Sequence, residues 1–156
     1  MKLSAQEEYG LRCLLRLGYA EASLTLAELA RQESISLANV AKMMRALRRG
    51  GLVTSTRGKD GGYTLARPPH EINVGAALAV LGGRFFDKRF CDRHAGVDAA
   101  CANMTDCSIR SVWRLLQDAV DSVLGKMTLQ DLLRSEAEMK TWRGQGRISL
   151  QRHPVA

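Results

Sequence analysis

Apolar residues recur at helical spacing through the first fifty positions of this 156-residue chain. The pattern predicts three helices, at 6–19, 25–32 and 37–49, each with one apolar stripe. The second helix opens on a capping box, in which Thr25 accepts from the backbone and Glu28 reaches back to it. Ser36 supplies the N-cap of the third helix, and two glycines end that helix. The second and third helices are therefore separated only by a short turn.

A β-hairpin is predicted after the third helix. Residues 52–56 and 63–66 alternate between apolar and polar, as half-buried strands do, and the turn between them is rich in glycine and charge. Asn73 can cap a further short helix at 74–81, which ends at a pair of glycines.

The second half of the chain has one long periodic segment. Residues 84–106 show no sustained period, whereas 109–124 form an amphipathic helix that ends at Gly125. A helix with so continuous an apolar side needs a surface to cover it. Thr128 can cap one more short helix, and the tail beyond Trp142 is basic, rich in glycine and expected to be frayed.

Charge indicates a polyanionic partner. The formal net charge is +7 and the isoelectric point about 9.6, and most of the excess, +5, lies in residues 1–67. Nucleic acid is the first candidate and an anionic membrane surface the second. No stretch approaches the roughly 20 apolar residues of a membrane span, and the N-terminus does not resemble a secretory signal. We therefore expect a cytoplasmic protein that does not enter membranes.

Two short helices around a tight turn, followed by a hairpin, have the proportions of a winged helix-turn-helix whose third helix enters the major groove. A solvated basic face is the alternative for the third helix alone, but the ordered series of cap, turn, basic helix and hairpin favours DNA. Residues near the start of that helix are expected to read base edges, and the later arginines and the wing to contact phosphates. The predicted DNA-contacting residues are Asn39, Lys42, Arg45, Arg48, Arg49, Arg57 and Lys59.

Three of the four cysteines lie within seventeen positions. Cys91, Cys101 and Cys107 have the spacing C-x9-C-x5-C, which in a reducing compartment indicates metal binding or redox chemistry more than a disulfide framework. Cys107 begins the long helix, where the helix dipole favours an anionic ligand set. With His94 the three thiols would make a Cys3His zinc site, and metal-free thiol sensing also stays open. Cys13, among leucines, is expected to be buried and outside the site.

Several runs resemble the IscR/NsrR family of bacterial winged-helix, iron-sulfur-cluster transcription regulators. They are EYGLR at 8–12, LRRGGLV at 47–53 and RGKDGGYTLARP at 57–68, and the similarity covers about residues 1–135. The resemblance implies a homodimer on a partly palindromic operator, with the helix at 109–124 crossing to the other subunit.

The family resemblance also implies a cofactor. Cys91, Cys101 and Cys107 would ligate a 4Fe-4S or 2Fe-2S cluster, with Glu8 of the other subunit as the fourth ligand. Glu7 beside it could substitute, and His94 is the alternative. The signal would be nitric oxide, redox state or cluster demand. The nine-residue interval is longer than the family's usual first interval, which leaves the cluster type open.

These observations predict a mainly α protein with a small β-hairpin wing and a long C-terminal dimerisation helix. The expected division is a winged helix-turn-helix domain at 1–83, a cysteine-bearing cluster loop at 84–108, the dimerisation helix with a short terminal helix at 109–140, and a flexible basic tail at 141–156. An enzyme is not expected, because no catalytic constellation accompanies the three histidines. A DNA-binding regulator with structural zinc and a cluster-assembly protein that does not bind DNA are the alternatives.

Overall fold

The computed structural model describes residues 4–58, 61–87, 89–96, 101 and 103–142, with Trp142 described by its backbone alone. In this part of the chain the protein is mainly α-helical with one antiparallel hairpin, which confirms the predicted fold class. The elements are α1 (Ala5–Tyr19), α2 (Leu26–Glu33), α3 (Leu37–Arg49), β1 (Val53–Thr56), β2 (Gly62–Leu65), α4 (Val74–Gly82), α5 (Phe90–Arg93), α6 (Ser108–Leu124), α7 (Leu129–Leu132) and α8 (Glu136–Trp142).

Capping side chains set where the first three helices begin. Thr25 and Glu28 form the predicted capping box on α2, and the Ser36 hydroxyl accepts from the backbone N–H of Asn39 at the start of α3. Ser34 ends α2 in the left-handed conformation, with φ of 55°. Because one residue ends α2 and Ser36 caps α3, the turn between the two helices is short and closely defined.

The hydrophobic core lies where α1, α3 and α4 pack together, with α2, α7 and the hairpin around them. Met44 and Leu47 of α3, like Leu14 of α1, are fully buried. The apolar stripe predicted for α3 is thus confirmed, and it leaves the opposite face of that helix exposed.

The hairpin is joined to the helix-turn-helix by its second strand. The strands pair from Val53 opposite Leu65 to Thr56 opposite Gly62, and Tyr63 also bridges Leu24, just before α2. A Cβ at position 62 would lie 2.8 Å from the Leu24 carbonyl oxygen, so glycine permits this close approach. The hairpin is therefore held beside the start of α2.

Helix α6 has only one buried residue, Gln117. One side of the helix packs toward α4 and the segment that follows α4, where the Trp113 ring meets Phe85 edge-on with centroids 5.8 Å apart. At its end, the Asn73 side-chain amide donates to the carbonyls of Leu124 and Gly125, while its oxygen caps α4. The other side of α6 is apolar and exposed.

Two short helices were not predicted. Helix α5 is a single turn and α8 barely two, and neither is long enough to show a helical period in sequence. Lys59 lies outside the described residues, as does the predicted flexible tail from residue 143 onward. Within the described part of the chain, no helix is both long enough and apolar enough to cross a membrane.

Candidate nucleic-acid interface and cysteine cavity

A buried carboxylate fixes the helix-turn-helix to α1. Glu33, at the end of α2, accepts from Arg12 Nε at 2.9 Å and from Arg16 Nε at 2.7 Å. Burial acts to raise the pKa of this carboxyl, but the hydrogen bonds and charges of Arg16 and Arg12 outweigh it and lower the pKa below its ordinary value of 4.5. Glu33 is therefore ionised at neutral pH and holds α2 in place.

The basic face of α3 is exposed. All of the predicted DNA-contacting residues that the structure describes are open to solvent: Asn39, Lys42, Arg45, Arg48, Arg49 and Arg57. Arg48 also donates to the Ser55 hydroxyl of β1 at 3.2 Å, and Arg67 donates to the Gly51 carbonyl at 3.1 Å. These two arginines therefore help to hold the wing against α3.

An open concavity of about 940 Å³ lies between the start of α2, the start of α3 and the wing. Its apolar lining includes Leu37, Ala38 and Ala41, and Arg57 lies at its edge. These apolar residues were not among the predicted DNA contacts, which are all charged or amide side chains. No local signal marks Leu37, because its spacing from Val40 and Met44 places it on the apolar stripe of α3.

The three clustered cysteines line one cavity of about 590 Å³, which we call the cysteine cavity. Cys91 comes from α5, Cys101 from the loop and Cys107 from the N-cap of α6, and all three thiols are free. No three His, Cys, Asp or Glu side chains among the described residues are arranged to hold a metal ion. The fold thus brings the predicted ligands to one cavity without setting them in a coordination geometry.

Arginine accompanies the thiols in this cavity. The Arg110 backbone N–H donates to Cys107 Sγ at 3.3 Å, and its guanidinium donates to the carbonyls of Asn103 and Met104. The Arg110 Nε is buried and has no hydrogen-bond partner among the described residues. Arg84 and Arg114 also line the cavity, together with Asp87, Asp92 and Asp118, so its walls carry charges of both signs.

The other predicted ligands lie elsewhere in the protomer. His94 stacks on Phe90 with centroids 4.3 Å apart, its Nδ1 is 2.7 Å from the Phe90 carbonyl, and it does not line the cysteine cavity. Glu8 is exposed on α1, and neighbouring Glu7 serves the capping box with Ser4. No contact within one protomer brings either carboxylate to the cysteines in the described structure.

Cys13 is fully buried, as predicted. Burial raises the pKa of its thiol to about 11, and the nearby Glu33 charge acts in the same direction. This thiol is therefore protonated and inert at neutral pH, unlike a metal ligand.

Comparison with known proteins gives this geometry its context. Residues 3–135 match a family model described as "Rrf2: Iron-dependent Transcriptional regulator". The chain belongs to the Rrf2 family. It is a winged-helix transcription regulator and not an enzyme, which confirms the expected class of protein.

Individual relatives agree with this assignment over most of the chain. Protein rrf2 of Nitratidesulfovibrio vulgaris is 32% identical over 136 residues, covering 86% of this chain and 88% of that protein. Among solved structures, CymR, the global cysteine regulator of B. subtilis, has a TM-score of 0.66 at 30% identity and covers 85% of this chain and 96% of that one. The IscR of T. potens has a TM-score of 0.63 at 27% identity, with coverages of 97% and 94%.

Proposed function

We propose that this Rrf2-family regulator binds its operator as a homodimer and that an iron-sulfur cluster in the cysteine cavity switches the binding. The observation that carries the switch is that Cys91, Cys101 and Cys107 line a single cavity beside α6. Helix α3 and the wing supply the DNA contacts, through Asn39, Lys42, Arg45, Arg48, Arg49, Arg57 and Lys59.

The exposed side of α6 supports the homodimer. Four large apolar side chains on this helix are between 41% and 69% exposed, namely Ile109, Val112, Leu115 and Leu116. Contiguous apolar surface of this kind marks an interaction site in a protein that stays in solution. In a twofold dimer the same face of a second copy would cover it, and the two copies of α3 would then meet successive turns of DNA.

The donor chemistry of the cysteine cavity suits a cluster. Three thiolates are the ligands that iron-sulfur clusters use most. Arg110 and Arg114 would balance part of the negative charge that the thiolates and the three aspartates of the cavity carry. The buried Arg110 Nε, without a hydrogen-bond partner among the described residues, offers a donor to an anionic occupant. When bound, a cluster supplies a redox-active centre. The fourth ligand would be Glu8 of the second copy.

Ligation would tie two elements of this chain together. Cys91 belongs to α5 and Cys107 caps α6, so ligands at both positions would hold α5 against the first turn of the dimerisation helix. Release of Cys91 would free α5 from that position. Nitric oxide, redox state and cluster demand are the signals that such a centre can sense.

Anaerobic purification tests the cofactor. Iron, acid-labile sulfide and zinc are assayed per chain on the same sample, together with its visible absorption. Matched iron and sulfide are expected, and both should be lost when Cys91, Cys101 and Cys107 are each replaced by serine. Replacing Glu8 by alanine tests the fourth ligand, and Glu21→Ala, at an exposed position outside α1, is the matched control.

Two other outcomes would overturn the proposal that the cysteine cavity holds an iron-sulfur cluster. One zinc per chain, retained in air, would point to a structural site with His94. A colourless, metal-free protein whose operator binding changes on oxidation would point to a disulfide switch among the cavity thiols. Failure to bind any DNA in every state would instead overturn the operator function and favour a role in cluster assembly.

A further inference from the structure

The start of α3 presents hydrocarbon where a recognition helix usually reads base edges. Leu37 is the first residue of α3 and is 54% exposed, although leucine at a free surface gains nothing from that exposure. Ala38 is exposed beside it, and Ala41 lies one turn further along the same side. All three line the concavity that α2 and the wing complete.

Asn39 lies on a different side of the helix. It follows Leu37 by two positions, which is about 200° around the helix axis at 3.6 residues per turn. Asn39 does not line the concavity, whereas Leu37, Ala38 and Ala41 do. The wing-facing side of the first turn of α3 is therefore apolar.

Cations surround this apolar patch. Lys42 and Arg45 follow it along the exposed face of α3, and Arg57 lies at the wing edge of the same concavity. An apolar patch flanked by cations suits a polyanionic ligand that presents an apolar group between its charged groups. In the major groove, that group is the 5-methyl of thymine, which distinguishes a T·A pair from the other three pairs.

We propose that Leu37, with Ala38 and Ala41 beside it, reads the 5-methyl group of thymine in each operator half-site. The proposal rests on the operator binding proposed above and adds a specificity determinant to it. The charges of Lys42, Arg45 and Arg57 hold the helix on the DNA. Leu37 distinguishes thymine from the other bases without a hydrogen bond.

Deoxyuridine tests this directly, because it removes the methyl group and leaves the hydrogen-bonding edge unchanged. An operator is first selected with the full-length protein from a randomised duplex library, and each thymine is then replaced by deoxyuridine in turn. We expect affinity to fall about fourfold per half-site at one or two positions, the effect of burying one methyl-sized group.

The Leu37→Ala variant completes the cycle. Alanine keeps the helix and removes the isobutyl group, so the ratio of affinities for the thymine and deoxyuridine operators should fall to about one. Arg57→Ala is the matched control, since it should weaken binding to both operators equally and leave the ratio at about four.

These experiments distinguish failure of the thymine proposal from failure of the operator function. Equal affinity for thymine and deoxyuridine at every position, or an unchanged ratio in Leu37→Ala, would overturn the reading of thymine while leaving operator binding intact. A library from which no sequence is enriched would overturn the operator function itself. The deoxyuridine scan with the unaltered protein decides the matter even if Leu37→Ala fails to fold.

Discussion

Glu33 joins α1 to α2, so neutralising its carboxylate is expected to loosen the helix-turn-helix. Its side chain is only 8% exposed, and its two oxygens accept separately from Arg12 at 2.9 Å and Arg16 at 2.7 Å. The Glu33→Gln variant keeps the shape of the side chain and removes the charge. Any loss of stability therefore reports the charged hydrogen bonds and not a cavity.

The expected loss follows from how these bonds are solvated. A hydrogen bond to a charged group contributes about 1.5–3 kcal/mol when it is well protected. The arginine side chains are 37% and 40% exposed, and water competes for them, so we take about 1 kcal/mol for each bond. The sum is about 2 kcal/mol, or roughly 4–8 °C in the midpoint of thermal unfolding for a chain of this size.

The loss should depend on pH. Because the pKa of Glu33 is lowered in the folded protein, its stabilisation is fully present above the ordinary value of 4.5. It disappears as the pH falls through the lower folded pKa. The free energies of unfolding of the unaltered protein and of Glu33→Gln should therefore differ at pH 7 and converge below the folded pKa of Glu33.

Urea unfolding of the apoprotein, followed by circular dichroism at a series of pH values, measures the loss in free energy of unfolding and its dependence on pH. Glu136→Gln is the matched control, because its carboxylate pairs with Lys140 at 2.9 Å in a fully exposed position, where such a pair contributes about 0.3–0.5 kcal/mol. A Glu33→Gln loss no larger than that of the control, or one that stays constant between pH 7 and pH 3, would refute the reasoning.

Three further outcomes are expected. Leu115→Glu should give a monomer by light scattering and weaken operator binding, because burial of a leucine, about 1.5–3 kcal/mol, is lost in each copy. Gln130→Glu, at an exposed position on α7, should stay dimeric. Arg57→Ala should lower the slope of log affinity against log salt by about 1 per protomer, and an unchanged slope would remove the wing from the phosphate contacts. In the apoprotein, iodoacetamide at pH 8 should label the three cavity cysteines but not Cys13, whose pKa is about 11, and mass spectrometry would reveal any exception.

The elements that could be predicted from sequence are those whose signals are local. Thr25 with Glu28 marks the start of α2 in any context, and the stripe of α3 shows its buried face. Leu37 could not be assigned in this way, because it counts as apolar whether it faces the core or the solvent. Only the packing of α3 against α1 and α4 shows that this leucine lies outside the core.

The cysteine site could likewise be predicted only in part. The spacing alone grouped Cys91, Cys101 and Cys107, and the structure places them on one cavity. Sequence proximity also made His94 a candidate ligand, yet the single turn of α5 orients its ring onto Phe90 instead. A turn of four residues carries no periodic signal, so the direction of that side chain could not be predicted.

Hydrogen bonds and an ion pair connect α6 to the segments at both ends of α4. Asn73, at the start of α4, donates to the last carbonyls of α6. Beyond the end of α4, the backbone N–H of Phe86 donates to Gln117 at 2.9 Å, and Arg84 forms an ion pair with Asp121.

Since α4 packs directly on α3, a rotation of α6 in the proposed dimer would carry α3 with it as one body. The proposed ligand Cys91 lies five residues after Phe86, on the segment that this anchor holds. A change at the cysteine cavity would therefore reach operator spacing through relative rotation of two rigid protomers, without any rearrangement inside the helix-turn-helix.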